Sequence, residues 1–366
     1  MNKRIIAINL PQFHPFKEND EWWGKGFTEW TNVTKAKPRF PGHYQPHLPT
    51  ETGFYDLRLP EARQMQADMA KDAGIYGFCY YHYWFNGKRL MNRPIDEILK
   101  SGEPDYPFMF CWANENWARN WDGSSNSVLM MQNYSDEDDI NHINWLCENV
   151  FSDSRYIRIE QKPVFLVYKP MLFPDIKRTI NIWRTEAKKK FNIDLYLIGV
   201  EHCHEDGAKY SDFGFDASMD FQPVSLNDYH CNIIYTLFFK TVSLLSKLTP
   251  VKNKLPFIIS YKKYIRYKIA ETTVSYKMYP CVSPGWDNSS RRVGRSFTFF
   301  KGSTPTLFKK WLYATMDKFE QFSDEENFIF INAWNEWAEG NHLEPDIKWG
   351  KEYLKSVKDV VNEFDK

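Results

Sequence analysis

Two glutamates three residues apart, Glu336 and Glu339, are the residues of this chain whose type and spacing best suit acid-base chemistry. They follow an apolar run over 327–334 and lie among tryptophans. Cleavage of a glycosidic bond needs one carboxyl group to exchange a proton with the bridging oxygen and a second to assist at the sugar ring. The side chains point to opposite faces of an extended strand but become neighbours at a turn. We therefore predict a turn at Asn335; the alternative is a surface turn with two solvated glutamates.

Short apolar runs separated by helical patterns predict the fold that positions this pair. Eight runs rich in β-branched or aromatic residues lie at 4–10, 75–81, 107–112, 163–168, 194–200, 215–220, 279–283 and 327–334. Apolar stripes with helical spacing cover 60–74, 137–150, 174–188, 305–320 and 350–364. This alternation predicts an α/β fold, a (β/α)8 TIM barrel, with its active site at the carboxyl ends of the strands. A doubly wound open sheet is the alternative, but no glycine-rich phosphate turn follows the first run.

Aromatic and polar side chains follow five of these runs. Because the strand ends of a barrel meet at one face, we expect these side chains to line one substrate cleft. The candidate substrate-binding residues are His14, Tyr81, His82, Trp84, Trp112, Asn114, Glu115, Trp117, Trp286, Asp287, Trp334 and Asn335. For His14 the alternative is a buried histidine in a hydrogen-bond network, and for Trp286 and Asp287 it is a strand-end turn. Glu115 is an alternative acid or base if Glu336 is structural.

Composition narrows the class of substrate. The chain has 47 basic and 47 acidic residues, so no overall field favours nucleic acid. Aromatic residues make up 17% of the chain, and many stand beside polar residues, as on a surface that stacks against sugars. The segment Glu201-His-Cys-His204 lacks a second ligand cluster at a standard spacing, so neither a metal nor another cofactor is expected.

Cysteine usage and the N-terminal residues bear on the compartment. The six cysteines are scattered singly, which favours free thiols in a reducing cytoplasm. The apolar run within 1–11 is too short for a signal peptide. We therefore predict a cytoplasmic protein.

Two long insertions are expected within a single domain that covers 1–366. Residues 13–57 are rich in Trp, Pro and Gly and predict a structured loop over the barrel mouth. The second insertion, 222–275, contains an apolar and then basic stretch at 233–268. We interpret this stretch as an extra helical hairpin; the alternative is peripheral contact with an anionic membrane near a lipid-linked glycan.

Several longer motifs resemble the WbsX family, a group related to glycoside hydrolase family 99. The motifs are Leu10-Pro-Gln-Phe-His-Pro15, 19–33 (NDEWWGKGFTEWTNV), Tyr80-Tyr-His-Tyr-Trp-Phe85, Cys111-Trp-Ala-Asn-Glu-Asn-Trp117, Asn120-Trp-Asp-Gly123, Pro284-Gly-Trp-Asp-Asn288 and Trp334-Asn-Glu-Trp-Ala-Glu-Gly340. They occur in order, and the resemblance extends from residue 5 to about residue 360.

The resemblance implies a (β/α)8 barrel and the retaining chemistry of endo-α-mannosidases. Carried over by motif, Glu336 is the base on the sugar 2-hydroxyl, which gives a 1,2-anhydro intermediate, and Glu339 is the general acid/base on the glycosidic oxygen. Members of the WbsX group are commonly described as glycosyltransferases of surface-polysaccharide synthesis. The implied substrate is therefore a mannose-type oligosaccharide or a repeat unit of a bacterial surface polysaccharide.

Two other functions remain open from the residues. One is a glycosyltransferase in lipopolysaccharide, O-antigen or capsule synthesis, although the chain lacks a DxD motif beside a nucleotide-binding strand. The other is a catalytically silent glycan-binding barrel. The intact Glu336 and Glu339 pair argues against it, because a binding module does not need two adjacent carboxyl groups.

Overall fold

Parallel strands form a nearly closed barrel around an apolar core. The computed structural model describes residues 3–118, 128–223, 256–292 and 297–364. The barrel strands are β1 (Arg4–Asn9), β2 (Gly77–Phe85), β3 (Phe108–Trp112), β4 (Lys162–Val167), β5 (Tyr196–Glu201), β6 (Ala217–Asp220), β7 (Met278–Tyr279), β8 (Cys281–Val282) and β9 (Phe328–Ile331). They pair in the order β7-β6-β5-β4-β3-β2-β1-β9-β8.

The ring closes through an interrupted strand. Pro280 alone separates β7, which pairs with β6, from β8, which pairs with β9. The amide of Phe330 donates to the Pro280 carbonyl at 2.9 Å across this break. The predicted run 279–283 is thus one strand in two pieces, and the predicted (β/α)8 barrel is confirmed.

Helices lie between the strands and cover the barrel. They are α1 (Lys17–Trp23), α2 (Glu29–Lys35), α3 (Pro60–Asp72), α4 (Arg93–Ser101), α5 (Asp136–Asn149), α6 (Ile176–Phe191), α7 (His204–Gly207), α8 (Tyr210–Phe213), α9 (Tyr261–Ala270), α10 (Pro305–Lys318) and α11 (Glu352–Phe364). Ser135, Asp175 and Thr304 each cap a helix by accepting a hydrogen bond from the backbone amide three residues later, and Thr28 and Thr31 form a capping box at the start of α2. All five predicted helices are present within one turn of their expected bounds.

Short elements at the strand ends carry most of the site. The antiparallel ribbons are Lys88–Leu90 on β2, Arg158–Ile159 on β4, Trp117–Ala118 with Val128–Met130, and Asn335–Glu336 with Asn341–His342. A parallel pair joins Phe257–Ser260 to Thr298–Lys301. Single 3₁₀ turns occur at Pro170–Leu172, Asn288–Arg291 and Trp337–Glu339.

Most strand positions are apolar because both faces of the strands are covered. Ile5, Phe110, Phe165 and Ile329 have no exposed surface. A barrel of this kind is a packed core rather than a pore. Polar side chains therefore collect at the strand ends, where the loops begin.

The two insertions differ in how much of them the structure describes. The first contains α1 and α2 and packs at the carboxyl ends of the strands, where the Trp30 and Trp337 ring centroids are 5.4 Å apart. Residues 224–255 of the second lie outside the described residues, and with them the predicted hairpin and most of the proposed membrane contact. The Asn120-Trp-Asp-Gly123 motif also lies outside them.

One of the basic residues expected at 233–268 does not face solvent in the described part of the second insertion. Lys268 on α9 is largely buried and forms ion pairs with Asp220 at 3.1 Å and Glu271 at 2.5 Å. Its charge is neutralised within the protein. Among the helices of the described ranges, none is long and apolar enough to cross a membrane.

Candidate active site

Glu336 and Glu339 are adjacent because a 3₁₀ turn separates them. The segment after β9 forms a small ribbon in which Glu336 pairs with Asn341, and the turn Trp337–Glu339 closes its tip. Side chains at positions i and i+3 of a 3₁₀ turn eclipse one another, so both carboxyl groups project to the same side. The chain thus turns just after Glu336, one residue later than the predicted turn at Asn335.

A glycine ends this turn for two reasons. Gly340 has φ +54°, in the left-handed region that other residues adopt only at a cost. A Cβ atom at this position would also lie 2.9 Å from the Cβ atom of Asp287. The turn that carries Glu339 therefore packs directly on the loop after β8.

Asn335 joins this ribbon to the first barrel strand. Its Oδ1 accepts from the Leu10 amide at 2.7 Å, and its Nδ2 donates to the Leu10 carbonyl at 3.0 Å. The side-chain amide thus replaces a strand partner where β1 and β9 end. Asn335 was predicted to bind substrate, but its side chain is buried and already paired with the backbone.

Glu344 anchors the ribbon from behind. Its carboxyl group accepts four hydrogen bonds, from Trp334 Nε1 at 2.9 Å, Trp337 Nε1 at 2.6 Å, Tyr55 Oη at 2.8 Å and Gln66 Nε2 at 2.8 Å. Trp334 and Trp337 are at most 1% exposed. Trp334, predicted as a sugar wall, is instead part of the support of the site, because its ring points into the core.

We expect Glu344→Ala to lower the free energy of unfolding by about 3 kcal/mol or more, because each buried donor left without an acceptor costs about 1–3 kcal/mol. Denaturant unfolding followed by tryptophan fluorescence measures the change. The matched control is Glu363→Ala, since Glu363 is half-exposed on α11 and its loss should cost about 0.5 kcal/mol or less. Equal stability of the two variants contradicts the anchoring role of Glu344.

Arg291 connects the two glutamates to each other and to the first insertion. Its Nη1 lies 2.6 Å from Glu339 Oε1, and its Nη2 lies 2.9 Å from Glu336 Oε2. Nε and Nη2 both donate to Glu29 Oε1, with Nε at 3.0 Å. The guanidinium side chain is 12% exposed and Glu29 is fully buried. One cation thus contacts three carboxyl groups.

Asp287 holds the turn that presents Arg291. Its Oδ2 accepts from His43 Nε2 and Gln45 Nε2, both at 2.7 Å, and its Oδ1 accepts from the Ser289 amide at 3.0 Å. Although burial opposes it, these hydrogen bonds hold the pKa of Asp287 below its usual range. Asp287 was predicted to contact the sugar, but its contacts show that it caps the turn Asn288–Arg291.

The surroundings of the pair favour a retained proton. Burial raises the pKa of Glu336 and of Glu339 above the usual value for glutamate, and Arg291 opposes this rise. Glu29 adds to the rise in both. Two nearby carboxyl groups with one shared cation titrate as a pair, so their protons belong to the pair rather than to one residue. Such a pair can donate one proton and accept another.

A cavity of about 270 Å³ opens over the two glutamates. Its lining residues are Leu10, Gln12, Tyr81, Tyr83, Ala113, Glu115, Asn116, Trp117, Ala118, Tyr168, Phe221, Trp286, Arg291, Asn332, Glu336 and Glu339. Two buried amide groups of this lining, Gln12 Nε2 and Asn332 Oδ1, have no hydrogen-bond partner among the described residues. Aromatic faces and unused polar groups in one cavity are suited to the apolar faces and hydroxyl groups of a sugar.

Six of the residues singled out in the sequence lie on this cavity: Tyr81, Glu115, Trp117, Trp286, Glu336 and Glu339. The other eight do not line it: His14, His82, Trp84, Trp112, Asn114, Asp287, Trp334 and Asn335. For the residues on β2, the difference follows from the direction in which each side chain leaves the strand.

Alternation along β2 decides which of its aromatic residues reach the cavity. Tyr81 and Tyr83 point into it, whereas His82 and Trp84 point outward to α5. His82 Nε2 lies 3.0 Å from His142 Nε2, and the Trp84 ring stacks on His142 with centroids 4.5 Å apart. His82 and Trp84 were predicted to contact substrate; they connect the barrel to its helices instead. Tyr83 was missed, although strand parity with Tyr81 identifies it.

Three further predicted residues are buried outside the lining of this cavity. Trp112 is 1% exposed and packs against His142 of α5. Asn114 is buried; its Oδ1 accepts from the Lys169 amide at 2.7 Å, and its Nδ2 donates to the Lys169 carbonyl at 2.9 Å. His14 is buried beside a separate cavity near Arg89, and burial lowers the pKa of His14 to about 4. None of the three has access to the Glu336 cavity.

Two groups of potential metal ligands occur in the described ranges. Glu201, which the sequence placed in a possible ligand cluster, lies near His204 and Asp220. His204 Nδ1 lies 2.8 Å from Glu201 Oε1, and Asp220 pairs with Lys268, so these groups already neutralise one another.

The second group, His47, His342 and Asp346, includes the last residue of the ribbon that Asn335–Glu336 forms with Asn341–His342. His47 Nδ1 and His342 Nε2 are 3.0 Å apart, and the His342 ring stacks on Trp337 with centroids 3.8 Å apart. These contacts tie the first insertion to the turn that carries the two glutamates.

A larger cavity lies away from this chemistry. It measures about 490 Å³ and is lined in part by α9 and α10. Its acidic groups Asp220 and Glu271 are both paired with Lys268. The smaller cavity at the strand ends is therefore the candidate active site, because it contains the carboxyl pair.

Fold and site together define a class: a glycoside-hydrolase-like barrel with an aromatic cavity and paired carboxyl groups at its strand ends. The chain belongs to the family described as glycosyltransferase WbsX, which it matches over residues 5–357. It is 36% identical over 358 residues to WxcX from two strains of Xanthomonas campestris pv. campestris, proteins themselves described as uncharacterized. That match covers 98% of this chain, which spans about half the length of these curated relatives (49%).

Solved structures share the fold at low sequence identity. A GH99 endo-alpha-mannosidase from Bacteroides thetaiotaomicron is 16% identical, with a TM-score of 0.60 over 99% of this chain and 97% of that chain. A protein described as glycoside hydrolase-like is 15% identical, with a TM-score of 0.61 over 98% and 94% of the respective chains. This likeness shows the fold, and together with the family it indicates a glycan-active enzyme.

Proposed function

We propose that this protein is a retaining glycoside-active enzyme, a hydrolase or transglycosylase, that acts through Glu336 and Glu339. The observation that carries the proposal is the contact of both carboxyl groups with Arg291 on the wall of one aromatic cavity. The proposed substrate is a mannose-type oligosaccharide or a repeat unit of a bacterial surface polysaccharide. We further propose that the chain forms a single barrel domain.

The proposed reaction has two steps, each with one proton given and one taken. First, Glu336 removes the proton of the sugar 2-hydroxyl, O2 bonds to C1, and the bond from C1 to the leaving oxygen breaks as Glu339 protonates that oxygen. Second, water or a sugar hydroxyl attacks C1 and gives its proton to Glu339, while O2 leaves C1 and regains a proton from Glu336. Two inversions at C1 give net retention.

Arg291 fits this scheme because it contacts both carboxyl groups at once. The two protons move in opposite directions, so the charge of the pair stays constant through each step. A fixed guanidinium between the two groups stabilises that constant charge without reorganisation. The usual spacing of retaining glycosidases, about 5–5.5 Å between carboxyl groups, is not required of a base that reaches the 2-hydroxyl.

We expect Trp117→Ala to weaken glycan binding about tenfold and to change kcat, the turnover of bound substrate, by a smaller factor. Trp117 lines the cavity and packs edge to face on Tyr83, with ring centroids 5.4 Å apart. An aromatic stack contributes about 0.5–1.5 kcal/mol beyond its buried area, and 1.4 kcal/mol is a factor of ten in affinity. Calorimetric titration measures the loss, and Trp349→Ala, away from the cavity lining, is the matched control. Equal affinity in both variants removes Trp117 from the sugar subsite.

A glycosyltransferase that uses an activated donor is the second candidate, and the description of the family favours it. Mass spectrometry separates the two candidates. Wild type and Glu339→Gln are incubated with repeat-unit oligosaccharides, with and without sugar nucleotides. Fragments or transfer products formed by wild type alone and without nucleotide support our proposal.

The other outcomes of this experiment contradict the proposal. A mass increase that requires a sugar nucleotide makes the protein a glycosyltransferase on a glycosidase-like barrel. Binding of glycans without any change in mass makes it a glycan-binding barrel.

A further inference from the structure

The charge balance at Arg291 depends on a residue outside the carboxyl pair. Glu29 is the first residue of α2 in the first insertion, and its carboxyl group is fully buried. Both contacts described for it come from Arg291, through Nε at 3.0 Å and through Nη2. The guanidinium thus donates one N–H to Glu336, one to Glu339 and two to Glu29.

Packing fixes Glu29 in this position. The next residue, Trp30, lies against Phe13 and Trp337, with ring centroids 4.8 and 5.4 Å away, and its Nε1 donates to the Tyr55 carbonyl at 2.8 Å. Thr28 caps the helix, with Thr31 completing the capping box. Glu29 is therefore held beside Arg291 by the packing at the start of its own helix.

The three carboxyl groups in contact with Arg291 outnumber its single positive charge. Three carboxylates around one guanidinium would leave two uncompensated negative charges in a place with little water. Because buried charges without partners are strongly unfavourable, the cluster retains at least one proton at neutral pH. Glu29 contacts Arg291 from outside the cavity lining, so Glu336 and Glu339 are the carboxyl groups of this cluster that can exchange the retained proton with a molecule in the cavity.

We propose that Glu29 is a positioning residue that holds Arg291 and, by neutralising its charge, leaves Glu336 and Glu339 with one shared proton. The pair is then ready with one acid and one base. Because Glu29 belongs to the insertion 13–57, the folding of that insertion sets the proton content of the site. The kinetic consequences rest on the proposed function; the proton content does not.

Other groups that face the pair do not replace this role. The titratable and charged groups around it are Glu29, Arg291, Arg292, Glu115, Tyr81, Tyr83 and Tyr168. Burial raises the pKa of the three tyrosines far above neutral pH, so they stay uncharged. Arg292 contributes less than Arg291 and Glu29 to the field at Glu339. Arg291 and Glu29 are therefore the charges outside the pair with the largest effect on both carboxyl groups.

The test is a titration of Glu29→Gln followed by carbon-13 NMR of the glutamate carboxyl groups. Glu336→Gln and Glu339→Gln assign the two signals. In wild type, the pair should hold one proton to a pH well above the usual range for glutamate. In Glu29→Gln, the unneutralised charge of Arg291 should lower the pKa of the pair by about one unit or more. Glu21→Gln, a change to an exposed carboxyl group on α1, should leave both signals unchanged.

Kinetics supply a second readout. The alkaline limb of the pH-rate profile should move to lower pH in Glu29→Gln, because the acid form is lost earlier. Glu29→Asp keeps the charge but shortens the side chain, so it should lower kcat without moving that limb. A residue with a merely structural role would lower the rate in both variants and move the limb in neither.

Each result decides one of the two proposals. Unchanged carboxyl titration in a folded Glu29→Gln protein overturns the role of Glu29, whatever the enzyme does. If Glu29→Gln does not fold, wild type alone still tests the inference, because loss of both protons from the pair at ordinary acidic pH contradicts it. A shifted titration in a protein that changes no glycan leaves the inference standing and removes the proposed function.

Discussion

A Glu339→Gln protein is expected to bind its glycan with an affinity close to that of wild type and to turn it over about 10²–10⁴-fold more slowly. Glutamine keeps the size of the side chain and one acceptor for Arg291, whose Nη1 contacts Glu339 at 2.6 Å. It cannot supply a proton to the glycosidic oxygen. The loss therefore falls on the step in which the bond to the leaving group breaks.

Leaving-group dependence tests this assignment beyond the loss of rate. A substrate whose leaving group is a good anion needs no proton, so Glu339→Gln should recover much of its first-step rate on an aryl glycoside. Single-turnover kinetics measure that step. Glu115→Gln is the matched control, because Glu115 is a carboxyl group of the same cavity outside the three ion pairs that Arg291 forms with Glu29, Glu336 and Glu339. Full activity of Glu339→Gln with a natural glycan contradicts the role of Glu339. So does a loss of activity that an aryl glycoside reverses in Glu115→Gln but not in Glu339→Gln.

Glu336→Gln is expected to cause a loss of similar size for a different reason. Without a base, the 2-hydroxyl cannot be deprotonated as O2 bonds to C1, so the first step slows for every leaving group. Aryl glycosides should therefore fail to rescue this variant, in contrast to Glu339→Gln. Stopped-flow release of the aryl group compares the two variants directly.

A substrate without the 2-hydroxyl provides the contradicting measurement. Wild type should not cleave a 2-deoxy glycoside through this route, because O2 is the atom that bonds to C1. Turnover of the 2-deoxy substrate by wild type, or by Glu336→Gln, is incompatible with an anhydro intermediate. A covalent adduct on Glu336, seen in the mass of the trapped protein, would show direct attack by the carboxylate instead.

Much of the barrel follows from the sequence because its signals are local. Each barrel strand falls in an apolar run, the five predicted helices each have an apolar stripe, and caps such as Thr304 mark where helices begin. The interruption at Pro280 is also a local property, since proline cannot donate to the ladder. The carboxyl pair was found for the same reason: its spacing needs only one turn to become a site.

The residues misplaced by the sequence share a different property. Successive side chains of a strand point alternately to the cavity and to the surrounding helices. When every position is aromatic or polar, as in Tyr80-Tyr-His-Tyr-Trp-Phe85, the sequence alone does not show which alternate set points inward. His82 and Trp84 point outward for this reason. Trp334 was misplaced because its acceptor, Glu344, lies ten residues later. Arg291 was missed because its partners are up to 262 residues away in the chain.

The hydrogen bonds between Asn335 and Leu10 have a consequence for how the site is made. They join positions 325 residues apart, at the strands that complete the ring. Contacts between residues so distant in sequence form late, because the entropy of closing a long loop must be overcome first. A chain in which β9 has not yet paired with β1 therefore lacks both the carboxyl pair and the part of the cavity wall that follows β9. We therefore expect the carboxyl pair and its cavity wall to be completed together in one late step of folding.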